Sequence, residues 1–181
     1  MASGNIMTPE FRVSFPYVFR PSKPMQVGQE PKYSVSMLFK KGEDLTVLKK
    51  AVEEAAVEKW GADKSKWPKN LRNPFRDQGE KDNEGYEAGA IFITATSKQK
   101  PGLVDSKVED IIEEREFYPG CYARATVRPF AYDNAGNRGV AFGLQNVQKL
   151  REGAPLGGRS SPAADFEPVS STASNASAMF D

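Results

Sequence analysis

Between Cys121 and Tyr132 the chain places two kinds of side chain on opposite parities of one extended segment. Cys121, Ala123, Ala125 and Val127 are small and apolar, whereas Tyr122, Arg124, Thr126, Arg128, Phe130 and Tyr132 bring three aromatic rings and two guanidinium groups. Successive side chains of a strand point to opposite faces, so one parity fills a core and the other presents rings between cations. Rings stack on the flat faces of nucleobases, and cations neutralise a phosphate backbone. The competing reading is a face packed beneath a loop or a partner chain. Pro129 interrupts the segment, and a bulge with a slip of parity is expected there.

A second basic and aromatic stretch runs from Lys59 to Arg76. It holds Lys59, Lys64, Lys66, Lys69, Arg72 and Arg76 against the single acid Asp63, with Trp60, Trp67 and Phe75 interspersed. This composition suits a loop that follows a polyanion. Its plainer reading is a solvated linker whose tryptophans cap a core. Lys98, Lys100, Lys40 and Lys41 enlarge the basic set.

Other chemistry is narrowed by what the chain lacks. It contains no histidine and one cysteine, which removes His-based catalysis, His ligation, internal disulfides and Cys-rich zinc sites. Two acidic runs, 77–87 and 105–116, carry five and six carboxylates. They read as solvated loops and a polar helix face, with Mg²⁺ ligation for a nuclease as the alternative. The stretch GAPLGGRS at 153–160 only approximates a phosphate-binding loop: Arg159 replaces the lysine, and no helix-forming sequence follows. RGVAF at 138–142 echoes an RNA-recognition motif without the required element order, and Asn175 to Ser177 spells a glycosylation acceptor. Cys121 reads as a small core residue. No apolar run approaches the ~18 residues of a membrane span, so a reducing cytoplasm is the expected setting.

The elements that must position these residues are mostly strands. Phe11, Val13 and Phe15 alternate with Arg12 and Ser14; Tyr33, Val35, Met37 and Phe39 alternate with Ser34, Ser36 and Leu38. Residues 90–98 are β-branched and aromatic. Residues 122–132 and 138–147 flank Asp-Asn-Ala-Gly-Asn, a hairpin turn signal. One helix is clear, from an Asp44 cap through Leu45, Leu48, Val52, Ala55, Ala56 and Trp60 to a stop at Gly61. A shorter one is expected near 108–114. The reading is a mainly β fold, an OB-fold-like five-stranded barrel with one or two helices and a disordered C-terminal tail. The domain takes residues 1–159, with its core between about Pro9 and Leu150, and the tail takes 160–181. GAPLGGR reads as the hinge between them. All 25 Lys and Arg lie at or before Arg159, so the body carries +4 while the tail carries only Asp165, Glu167 and Asp181.

The stretches PEFRVSFPYVFRP, GQEPKYSVSMLFKK, KQKPGLVD and FYPGCYARATVRPFAYDNAGNRGVAFGLQNVQKLREGAPLGGR together resemble the bacteriophage single-stranded DNA-binding proteins of OB-fold type, over residues 9–166. The resemblance implies a protein that coats single-stranded DNA in phage replication or recombination. It also implies a C-terminal tail that modulates DNA binding and recruits phage or host replication proteins, with Asp165, Glu167, Phe180 and Asp181 as the matching acidic and apolar handle. Strand parity and charge, not the resemblance, select the expected contacts. Arg124, Arg128, Lys98, Lys100, Lys64, Lys66, Lys69, Arg72 and Arg76 would meet phosphates, while Tyr122, Phe130, Tyr132 and Trp67 would stack on bases. The expected protein is not an enzyme, needs no cofactor or metal, and acts in the host cytoplasm without a membrane. A homodimer fits, since one OB-fold covers only ~4–16 nucleotides. The alternatives are a metal-dependent nuclease or recombination enzyme, and a self-associating structural phage protein.

Overall fold

Alternation of apolar and polar residues builds five strands that close on one another. In a computed structural model, which describes residues 4–23, 30–156 and 166–169, the elements run in chain order β1 (Ile6–Met7), β2 (Phe11–Ser22), β3 (Lys32–Leu38), α1 (Thr46–Trp60), β4 (Arg76–Asp77), β5 (Ile91–Ser97), β6 (Gly102–Val104), β7 (Tyr122–Asn134) and β8 (Asn137–Arg151). Hydrogen bonding passes from β7 to β2, β3, β5 and β8, and the β7–β8 hairpin completes the ring. Every pair in this ring is antiparallel except β5–β8. That is a five-stranded OB barrel. The short strands β1, β4 and β6 extend it beside β7, β5 and β8.

The barrel interior takes the parity expected of it. Val35, Ala95, Phe142 and Pro129 are successive cross-strand partners and all are buried. Cys121, Ala123, Ala125 and Val127 join the same core, with Phe11, Val13, Met37 and Ile93. Asn134 pairs with Asn137 across Ala135 and Gly136, whose φ values of 51° and 88° match the left-handed pair of a type I′ hairpin turn. In α1, Leu48, Ala51 and Ala56 are buried. The Asp44 carboxylate accepts the Thr46 N–H at 3.0 Å, and the Gly61 N–H closes the far end on the Val57 carbonyl.

Four expectations need correction. Residues 108–114 are not a helix: Asp105 captures the Lys107 and Glu109 N–H groups in a tight turn, Ile111 returns its N–H to Leu103, and only a 3₁₀ turn follows at Glu114–Glu116. Phe15 does not join Phe11 and Val13 in the core. Ser14 pairs with Ser36 and Tyr17 with Ser34, so β2 spends three residues against two of β3. This bulge leaves Phe15 48% exposed at φ 43° and turns Tyr17 outward, while Val18 returns to full burial. Pro129 causes no slip, because among the described residues no strand borders β7 beyond Val127 on the side away from β8; the register shifts instead near Thr126 and near Tyr122.

Residues 153–156 of the expected hinge are held against the barrel. Residues 152–156 form a strap docked on the barrel: Arg12 reaches the Ala154 carbonyl at 2.6 Å, and Leu156 donates its N–H to Pro119 at 2.9 Å. Gly120, at φ 112°, lies where any Cβ would overlap the Ala154 carbonyl oxygen. The rest of GAPLGGR lies outside the described residues. Tyr118 locks this strap. Its hydroxyl bonds the Glu152 carboxylate and accepts the Gly153 N–H, and Lys149 binds Glu152 at 2.5 Å. Burial, reinforced by Glu152, pushes the Tyr118 hydroxyl up to about 12. A raised folded-state value means the neutral form's contribution is complete below the ordinary tyrosine range of ~10 and is lost as pH rises through about 12. The melting temperature is therefore expected to fall more steeply between pH 10 and pH 12 in the wild type than in Tyr118→Phe, read by circular dichroism.

Candidate nucleic-acid interface

The outer parity of the barrel is divided into a covered end and an open end. At the covered end, Arg12, Leu38, Phe92 and Arg76 are successive partners. Segment 76–90 lies over them. Tyr86 packs edge-on against Phe92 and shares a hydrogen bond with Ser14, while Arg76 stacks on Phe92 and pairs with Glu80. Buried Gln78 donates to the carbonyls of Phe39 and Ile91, which fastens the cover to β3 and β5.

At the open end, one row of partners crosses all five strands: Tyr17 of β2, Ser34 of β3, Thr96 of β5, Gly143 of β8 and Arg128 of β7. Paired residues share a face. Four strand spacings make this row about 19 Å long. Its middle is small and polar, and Thr94, exposed beside Thr96, adds another hydroxyl. At the β7 end, Phe130 is 44% exposed and its ring lies against Gly143; Tyr132 follows with ring centroids 6.4 Å apart. Arg72 joins this end through the backbone. It bridges Gly139, the partner of Tyr132, at a spacing that no Cβ on Gly139 would permit, and its guanidinium holds Asn137 at 3.0 Å. Arg128, Lys98 and Lys100 are exposed; Lys98 stands 3.8 Å from Glu30.

Four of the remaining expected contacts have partners within the protein. Tyr122 lies under the Arg151 guanidinium, 3.8 Å from the ring centre, and Arg151 is held by Glu10 at 2.8 Å. Arg124 donates to Gln148 at 2.8 Å. Trp67 leans on Trp60 and donates its indole N–H to the Gly61 carbonyl, closing the end of α1. Lys64 pairs with Glu53 at 2.8 Å and lies over the Trp67 ring. Lys66 and Lys69 are exposed on the same segment. Glu167 is exposed, whereas Asp165, Phe180 and Asp181 lie outside the described residues.

Two carboxylates of the acidic runs, Asp77 and Asp105, fold their own loops. Asp77 accepts the Gly79 and Gly89 N–H groups, bonds that hold its carboxyl below the usual range. Asp105 caps its turn in the same way. Among the described residues, no three carboxylate or cysteine side chains gather as a metal site, and no helix is long and apolar enough to cross a membrane. Sequence reasoning missed Tyr17, Phe15, Ser34, Thr94, Thr96 and Gly143. The one available signal was Pro16, a residue that marks bulges within a strand pattern.

An OB barrel with an open polar row crossing its strands, ended by rings and cations, belongs to the class that uses this face and its adjoining loops for oligonucleotides or oligosaccharides. The comparisons narrow the class. The chain belongs to the family of the Enterobacter phage Enc34 ssDNA-binding protein, whose family model matches residues 4–178. It is 31% identical over 169 residues to putative protein p50 of Acyrthosiphon pisum secondary endosymbiont phage 1, covering 88% of this chain and 90% of that one. Two solved structures share the fold. The single-stranded DNA-binding protein of bacteriophage Enc34, in complex with ssDNA, superimposes with a TM-score of 0.67 at 23% identity, covering 85% of this chain and 90% of that one. Bacteriophage T7 gp2.5, a single-stranded DNA-binding protein, gives 0.61 at 17% identity, covering 93% and 100%.

Proposed function

We propose that this chain coats single-stranded DNA during phage DNA replication and recombination, without sequence preference and without catalysing a reaction. The observation that carries this reading is the open row from Tyr17 to Arg128, with Phe130 and Tyr132 at its end. Rings stack on any base, and hydroxyls and cations along the row meet the backbone. Within the expected set, Arg128, Phe130, Tyr132, Lys98, Lys100 and Arg72 form the working contacts. Lys66 and Lys69 extend the positive field, and Tyr122, Arg124, Lys64, Trp67 and Arg76 support the scaffold.

The protein acts in the host cytoplasm. Its residues 160–181, with Asp165, Glu167, Phe180 and Asp181, compete with DNA for the basic face and recruit replication proteins. Net charge supports this, since every base lies in the first 159 residues.

Fluorescence anisotropy of labelled oligo-dT at several salt concentrations tests both parts. With four to six phosphates neutralised, log K should fall with log salt at a slope between about −3 and −4. A chain ending at Arg159 should bind more tightly at low salt and equally at high salt. A flat salt dependence removes the first claim; identical low-salt affinities remove the second.

A further inference from the structure

We infer that Phe15 and Tyr17 form a second base-stacking rim, so that a DNA strand is held at both ends of the row and only hydrogen-bonded between them. This rests on the single-stranded DNA reading above.

The β2 bulge is the device that makes the rim. Uninterrupted alternation from Phe11 and Val13 would send both residue 15 and residue 17 into the core. The extra residue instead places Tyr17 opposite Ser34 on the outer row, 42% exposed, and leaves Phe15 48% exposed in a left-handed backbone that a bulky side chain rarely adopts. Strain of that kind is retained where the surrounding structure enforces it, often at ligand clamps. Val18 at full burial on one side and Ser14 bonded to Tyr86 on the other supply the enforcement.

Both ends of the row open onto concavities of ligand size. Beside Tyr17 lies a groove of about 560 Å³ whose lining includes Pro16, Arg20 and Lys23. Beside Phe130 lies one of about 370 Å³, between Ala55, Glu58 and Lys59 of α1 and Arg128 to Ala131 of β7. Each groove thus pairs one exposed ring, Tyr17 or Phe130, with cations. Arg20 is shared with Glu114 at 2.8 Å, whereas Lys23 is exposed. Between the rims, Ser34, Thr96 and Gly143 offer hydroxyls and backbone but no ring. Stacking is therefore confined to the two ends, about 19 Å apart. At ~3.4 Å per stacked nucleotide that distance corresponds to about six nucleotides, and to fewer for a strand extended between the rims.

The experiment measures dT3 and dT12 binding by wild type, Tyr17→Ala and Phe130→Ala. A three-nucleotide strand can occupy only one rim at a time, so removing either should change its affinity by no more than about twofold. On dT12 each substitution should cost about 5- to 150-fold, because both rims are engaged together. Tyr17→Phe, which keeps the ring, should bind dT12 like the wild type. If Tyr17→Ala binds dT12 within twofold of wild type while Phe130→Ala does not, the second rim is wrong and single-stranded DNA binding stands. If Tyr17→Ala weakens dT3 and dT12 equally, the two-point clamp is wrong. If wild type fails to bind dT12 at all, the functional reading itself falls. Should Tyr17→Ala fail to fold, Tyr17→Trp serves as a reporter. Its fluorescence should be quenched by dT12 beyond the change seen in wild type, and equal quenching overturns the rim.

Discussion

Replacing Phe130 and Tyr132 together by alanine should lower affinity for poly-dT by two to three orders of magnitude while leaving the melting temperature almost unchanged. The size follows from stacking at ~1–3 kcal/mol per base, taken twice with some shared loss because the rings are neighbours at 6.4 Å. The stability half follows from location. Phe130 is 44% exposed on the outer face, over a glycine, so its removal opens no internal cavity. Val127→Ala, three residues earlier on the inner face, should do the opposite. It should cost roughly 1–2 kcal/mol of stability, below the range for larger aliphatic truncations, and leave DNA binding intact in the folded fraction. Titration by anisotropy and thermal denaturation of the three proteins decide the matter. A large melting-temperature loss in the double variant would mean that these rings hold the hairpin and not a ligand.

Phe142→Ala carries the largest expected loss of stability, about 3–5 kcal/mol. Its ring is 1% exposed, meets Phe75 edge-on at 6.0 Å, and stands between Ala95 and Pro129 in the inner row. Truncation leaves a hole where the barrel closes, and Ala95 and Pro129 are too small or too rigid to fill it. Because Gly143 is its neighbour on the outer row, single-stranded DNA affinity should fall as well, even in protein that remains folded. Urea denaturation followed by circular dichroism checks the first effect. An unfolding midpoint close to wild type would show that the core repacks around the gap.

The barrel was legible because its strands are long and their two parities differ sharply in composition. Cys121 to Val127 could hardly face water, and Asn134 to Asn137 could hardly be anything but a tight turn. The outward set on β7 was legible for the same reason. Which of its members remain available was not, because that depends on partners distant in the chain: Glu10 through Arg151 for Tyr122, and Gln148 for Arg124. Tyr17 was hidden by a single inserted residue, which inverts every side chain after it without changing composition. The expected helix at 108–114 failed because Asp105 gives its carboxylate to nearby backbone N–H groups, a local competitor that helix-like composition does not reveal.

The ring has two narrow seams. β2 meets β7 through the pairs at Phe11 and Arg12, and β5 meets β8 through those at Ala95 and Thr96. The rest of the ring is a meander of β2, β3 and β5, whose six-pair β3–β5 step spans α1 and β4, and a hairpin of β7 and β8. Kinetically, hairpins form within microseconds, whereas contacts between distant segments wait on loop closure. The row from Tyr17 to Arg128 starts on the meander and ends on the hairpin, so it does not exist until the second seam has zipped. A strand lying along it would bridge the seam like a suture, binding only the finished barrel and slowing its opening more than it hastens its assembly.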